Sequence, residues 1–155
     1  LVEKQPYLKP ISVTPKTGAL NRWAGQKMFK VVDDVELPNN AKFKTVNDIN
    51  LAGYENSDHL SMVFKGYFKA KVDGLYEFAT KSDDGSLLYI GDKLVVDNGG
   101  NHSGIMKNGM VALKKGWHPL IVKYHEATGG SELTVWYKAP NQDKKVLKGN
   151  VIGHD

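Results

Sequence analysis

The sequence predicts an all-β protein, an antiparallel β-sandwich or barrel of jelly-roll type with long loops and little helix. Three observations carry that expectation. From about residue 60 onward, apolar and polar residues alternate with a period of two. Glycine-bearing turns separate those runs at short intervals. No segment shows strong helical periodicity. A chain of 155 residues, 41% of them hydrophobic, is expected to form one domain over 1–155 with a sizeable core.

The elements follow in order. The chain opens "LVEKQPYLKP", with no initiator Met and no charged-then-apolar leader, so an excised piece of a longer protein is expected. "GALNRWAGQKMF" (18–29) is the one candidate helix, weakened by its glycines. Residues 33–59 are polar and irregular, a long connection with one or two short strands. In "SMVFKGYFKA", Met62, Phe64, Phe68 and Ala70 form an apolar face against Val63, Lys65, Tyr67 and Lys69. "VDG" (72–74) then leads into "LYEFAT", and Asp-Gly between such runs predicts a hairpin. A second hairpin is expected where Gly91-Asp92 joins "LLYI" to "KLVV", as a type II′ turn. Pro119 in "WHPLIVKYHE" lacks an N–H and predicts a strand that starts at a sheet edge. "ATGG" (127–130) turns the chain into "ELTVWYK", Pro140 ends that strand, and the tail reads as a last strand fragment with an exit linker.

Composition narrows the function. There is no cysteine, which removes disulfides, zinc–thiolate sites and thiol nucleophiles. That is compatible with a cytosolic protein or an exported bacterial one. No apolar run reaches the ~18–20 residues of a membrane span. Net charge is +4 and the pI about 9.1, yet the cations are scattered lysines with Arg22 the lone arginine. Phosphate and base recognition favour arginine's bidentate fork, so a nucleic-acid partner is not expected. Scattered lysine protects strand edges and keeps the surface soluble.

"SDDGS" (82–86) raises the main chemical question. Asp83 and Asp84 stand side by side although their charges repel. Hard cations such as calcium take six to eight oxygen ligands, and Asp83, Asp84, Asp97, Asn98 and Asn101 supply that type among flexible glycines. Adjacent side chains on an extended strand point to opposite faces, so a shared ion requires a distorted backbone, for which a cis peptide is one route. A solvated turn is the alternative, since Asp and Gly are good turn residues.

Catalysis by the pair is not expected, because a glycosidase pair must flank the bond from two sides, roughly 5–9.5 Å apart. His59, His102, His118, His125 and His154 lack zinc-site spacing. Serine-nucleophile and phosphate-loop signatures are also missing. Of the tryptophans, Trp136 and its neighbour Tyr137 must face opposite ways, so one is core and the other a possible sugar platform.

"FKGYFKAKVDGLYEFATKSDDGSLLYIGDKLVVDNGGNHSG" followed by "MVALKKGWHPLIVKYHEATGGSELTVWY" resembles the PA-fourteen domain, named from anthrax protective antigen. The resemblance is close over about 60–138 and loose upstream. It implies a β-sandwich found in bacterial glycosidases, adhesins and toxins, with a role in recognising carbohydrate or shaping a sugar site. In the adhesin branch an adjacent Asp pair, joined by a cis peptide, holds calcium, and Asp83 and Asp84 match that pair. The adhesins complete the site with an asparagine on a later loop. Here that loop is "HEATGG", which offers His125 and Glu126 and looks more like the version fused to β-hexosaminidase-like or β-glucosidase-like enzymes.

The expectation is therefore a non-catalytic module of a secreted or periplasmic carbohydrate-active protein or cell-surface adhesin. It would contact glycan through 82–86, 97–103 and 125–131. Asp83 and Asp84 would bind calcium or sugar hydroxyls, with Asn98, Asn101, His102 and Glu126 as supporting ligand contacts. The rival expectation is a structural module that docks on its own catalytic domain and binds no free glycan.

Overall fold

A computed structural model describes residues 6–26 and 29–155. Its strands are β1 (Lys16–Thr17), β2 (Leu20–Gln26), β3 (Lys44–Val46), β4 (Leu60–Ala70), β5 (Gly74–Asp83) and β6 (Gly85–Ile90). They continue as β7 (Lys93–Asn98), β8 (Ile105–Leu113), β9 (Gly116–Glu126), β10 (Glu132–Lys138), β11 (Lys145–Val146) and β12 (Ile152–His154). Two antiparallel sheets face each other, as the alternating pattern demands. The larger runs β1-β12-β4-β9-β6-β7, with β2 on β4 and β3 on β2; the smaller runs β11-β10-β5-β8.

The longest strands make the core. Met62, Phe64, Phe68 and Ala70 of β4 are all fully buried, the face that their period of two predicts. They meet Tyr76 and Phe78 of β5 and Leu120, Val122 and Tyr124 of β9. Phe68 packs edge-on to Tyr76, Phe78 and Tyr137 at ring separations of 5.6, 5.0 and 5.5 Å. Burying each such side chain contributes roughly 1.5–3 kcal/mol. A second apolar cluster lies on the other face of the larger sheet, where Val32 and Val35 cover Trp23, Val63 and Leu87.

That second cluster explains why 18–29 is not a helix. Leu20–Gln26 is a strand paired to β4 and β3; Gln26 is its last residue, and 27–28 lie outside the described residues. On a strand, residues three apart point to opposite faces. Leu20 enters the main core and Trp23 the second one, so two covered faces give a spacing that imitates a helical stripe.

Two further expectations are corrected. The Asp-Gly sequence at 73–74 does not close a hairpin, because β4 and β5 belong to different sheets. It makes a corner instead, in which the Tyr76 hydroxyl donates to Val72 O (2.6 Å) and the Lys115 N–H to the Asp73 carboxylate (2.7 Å). Nor does Pro119 mark an edge: β9 is central, between β4 and β6. The ladder to β6 stops at Leu120, and the Pro119 carbonyl takes the Gly91 N–H of the next turn (2.8 Å), so the missing N–H falls just beyond the pairing. The Gly91-Asp92 hairpin does form. Gly91 has φ 61° while Asp92 is not left-handed, as a type II′ turn requires.

Candidate cation and ligand site at the sheet crossing

The inward rows of four strands all turn polar at the same end of the sandwich. On β5, Tyr76 and Phe78 give way to Thr80 and Ser82; on β6, Ile90 and Leu88 give way to Ser86; on β7, Val96 gives way to Asn98. On β9 the row Leu120, Val122, Tyr124 ends on Glu126. Ser86 Oγ lies 2.7 Å from Ser82 Oγ and donates to Thr80 Oγ1 at 2.8 Å. The Asn98 amide donates to Ile105 O (2.8 Å) and to Thr80 O and Ser82 Oγ (3.3 Å each). This hydroxyl and amide layer seals the apolar core and forms the floor of the site.

Asp84 alone separates β5 from β6, so one residue carries the chain between the sheets. The Asp83–Asp84 peptide is cis. Asp84 is 7% exposed, and its two oxygens accept the His102 N–H (3.1 Å) and the Ala127 N–H (2.8 Å). Asp84 thus holds the two flanking loops, 97–103 and 125–131, by their backbones. Gly85 permits this closure, because a Cβ there would lie 2.6 Å from Gly100 O. Tyr124 donates its hydroxyl to Asp83 O, and burial keeps that phenol protonated.

Asp83, Asp84 and Glu126 converge, each offering a carboxylate oxygen within 4.8 Å of the others. Glu126 is fully buried, and among the described residues neither of its oxygens has a hydrogen-bond donor. Burial first, then the hydrogen bond its protonated form can make to Asp84, then the Asp84 and Asp83 charges, push its carboxyl up to about 8. Protonated, Glu126 can donate to Asp84; ionised, it needs a cation. Asp83 is also raised, by burial and then by Asp84. Three carboxylates, one of them buried with both oxygens orphaned among the described residues, suit a hard cation such as calcium.

Of the residues singled out in the sequence, Asp83, Asp84 and Glu126 come together. Asn98 lies beneath them, 1% exposed, with its amide nitrogen committed to the floor and its Oδ1 without a partner among the described residues. His102 serves Asp84 through its backbone, while its ring nitrogens meet Ser103 O (2.7 Å) and Asn98 O (3.0 Å). The Asn101 amide donates to Lys30 O (2.9 Å), tying the loop to the segment before Val32. His125 is buried and kept neutral by that burial, with Nδ1 3.2 Å from Ser61 Oγ. Tyr124 and the Ala127 N–H were not foreseen, although the parity of β9 places Tyr124 and Glu126 on one face.

Tyr137 is the inward partner of the aromatic pair and Trp136 the outward one. The Lys144 ammonium lies 5.5 Å from the Trp136 ring, and Lys69 5.7 Å from Trp117, so each ring already faces a cation. Surface cavities of about 590 and 340 Å³ lie elsewhere; neither is lined by Asp83, Asp84 or Glu126. The site is an acidic rim.

A family profile of the PA14 domain matches residues 16–149. Among solved structures, the chain is similar to the PA14 domain of the MpAFP antifreeze protein, with TM-score 0.71 and 14% identity over 93% of this chain and 95% of that one. It is similar to a PA14 sugar-binding domain from an RTX adhesin, with TM-score 0.70 and 14% identity over 90% of this chain and 100% of that one. An anti-sigma factor domain-containing protein from Clostridium clariflavum gives TM-score 0.70 at 18% identity over 97% of this chain and 52% of that one. The chain thus spans about half the length of the anti-sigma factor domain-containing chains it matches. No curated protein matches by sequence. With that profile spanning most of the chain and the two-sheet architecture in agreement, the protein belongs to the PA14 domain family.

Proposed function

We propose that the chain is a non-catalytic carbohydrate-recognition module whose glycan site is built on a calcium ion held by Asp83, Asp84 and Glu126. The observation that carries this reading is the buried, donor-free Glu126 carboxylate within 4.8 Å of the Asp pair. The ion would supply fixed positive charge able to take paired sugar hydroxyls in place of water. The chain's part is to hold the ligands: Asp84 pins both loops, Tyr124 fixes the Asp83 backbone, and the floor keeps Asn98 in place. Support comes from the similar sugar-binding PA14 domain of an RTX adhesin, and from the epithelial adhesin 9 A domain of Candida glabrata, solved with Galb1-4GlcNAc. Those adhesins also support a cell-surface or extracellular location, and among the described residues no helix is long and apolar enough to cross a membrane. A larger parent, a glycoside hydrolase or adhesin-like protein, would supply avidity to a weak single site.

Titration calorimetry tests this. Glycan-panel binding that requires calcium, and that chelator and Asp84→Ala each abolish, is the expected result. A panel silent in calcium would leave the docking-module reading in its place.

A further inference from the structure

The charge around the site runs against the charge of the chain. Lys and Arg make up 21 of 155 residues, and the net charge is +4. Yet stretches 53–61, 82–86 and 124–134 contain neither, while carrying Glu55, Asp58, Asp83, Asp84, Glu126 and Glu132. The fold brings these stretches together. His59 N–H donates to Ala127 O (2.8 Å), Ser131 Oγ donates to Glu55 O, Ala127 N–H reaches Asp84, and Glu132 pairs with Asp83 across β10 and β5. The Asp58 charge acts on Glu126, and that of Glu132 on Asp83. The basic groups at this rim are Lys81, tied to Glu132 at 3.5 Å, the His102 imidazole, held between two carbonyls, His59 on the 53–61 stretch, and His125, buried and kept neutral by that burial.

A divalent ion does not neutralise this rim. Three carboxylates and one calcium leave a net charge of −1, and Glu55, Asp58 and Glu132 stand around it. Resting on the calcium–glycan reading above, we infer that the site selects glycans bearing free primary amines, the deacetylated amino sugars, and rejects uronates and other acidic sugars. The ion takes the hydroxyls, and the surrounding carboxylates take the ammonium. In water-like dielectric, a unit charge ~6 Å from an ammonium is worth roughly threefold in affinity, so two or three carboxylates give about tenfold. The fully buried Glu126 is the ligand that makes the core of the site anionic rather than neutral.

The test uses the 155-residue chain saturated with calcium at low salt, titrated with matched oligosaccharides of glucosamine, N-acetylglucosamine, galactosamine, N-acetylgalactosamine and the corresponding uronates. The free-amine member of a pair is expected to bind about tenfold tighter, with no uronate binding. That ratio should fall to within about twofold in the Glu55→Gln, Asp58→Asn, Glu132→Gln triple variant. It should also fall in the unaltered chain at ~1 M salt, where screening acts within about 3 Å. Equal affinity for amine and N-acetyl partners overturns the inference and leaves the calcium–glycan reading standing. Displacement by a lysine tetrapeptide as effective as by the amino sugar also overturns it, because any polycation would then serve. Silence of every sugar overturns both.

Discussion

Two corners carry the chain between the sheets on aspartate, at opposite ends of the sandwich. At the first, Asp73 accepts the Lys115 N–H at 2.7 Å and has the Lys114 ammonium at 3.5 Å. Those partners, the N–H first, hold its carboxyl below the usual range. At the second, Asp83 and Glu126 are raised, and no lysine or arginine ion pair to Asp83, Asp84 or Glu126 occurs among the described residues. The two buried histidines of β9 repeat the contrast. His118, beside the first corner, lies 2.7 Å from Lys114 O through Nε2, whereas the Nε2 of His125 has no partner among the described residues. A corner that only folds the chain supplies its own counter-charge. A corner that leaves carboxylates uncompensated is where the cation of the proposed site would sit.

Breaking the second corner should have the largest effect. Asp84→Ala strips the acceptor from two backbone N–H groups and is expected to cost roughly 3 kcal/mol in chemical denaturation, with loss of the calcium response. Calcium itself should stabilise the unaltered chain by about 2.7 kcal/mol at one hundred times its dissociation constant. Thermal unfolding with and without chelator measures this, and an unchanged midpoint would remove the ion from the account. Glu126→Gln sharpens the comparison. It replaces a carboxyl that the unfolded chain ionises freely and the calcium-free fold must protonate to bury, so the calcium-free variant should melt higher than the unaltered chain at pH 7 while gaining less from calcium. Asp73→Asn should do the reverse: a lower midpoint, shifted equally with and without calcium.

The smallest effect concerns His118. Burial lowers its folded value below the unfolded ~6.5, so the unfolded chain binds a proton that the folded chain refuses. Stability from this group is complete above about 6.5 and declines as pH falls toward the folded value. Denaturation midpoints in saturating calcium should therefore drop from pH 7 to pH 5, and His118→Gln should flatten the slope. An unaltered slope would place the titration elsewhere.

Much of this was legible in the residues. A period of two places the buried face of β4, and Gly91-Asp92 specifies its own hairpin, because both depend on local chemistry. The Asp-Gly at 73–74 misleads because hairpins and inter-sheet corners use the same turn residues; the distant partner of the next strand decides between them. Leu20–Gln26 misleads because a strand covered on both sides loses its alternation. Within the site, Asp83, Asp84 and Glu126 could be named as oxygen donors from sequence. Asn101 could not be placed, since nothing local says which way a loop amide faces. The polar floor was also readable in principle, from the switch of Tyr76 and Phe78 to Thr80 and Ser82 on one parity of β5.

β12 lies beside β1 and pairs with Tyr67 and Phe68 near one end of β4, whereas Leu60 at the other end of β4 pairs with Glu126. At ~3.3 Å per residue, the stretch of β4 between them is about 25 Å long. The β1–β12 pair therefore lies at one pole, and the acidic rim occupies the other. Whatever meets the rim meets it well clear of that pair, with most of a strand's length of packed core between them.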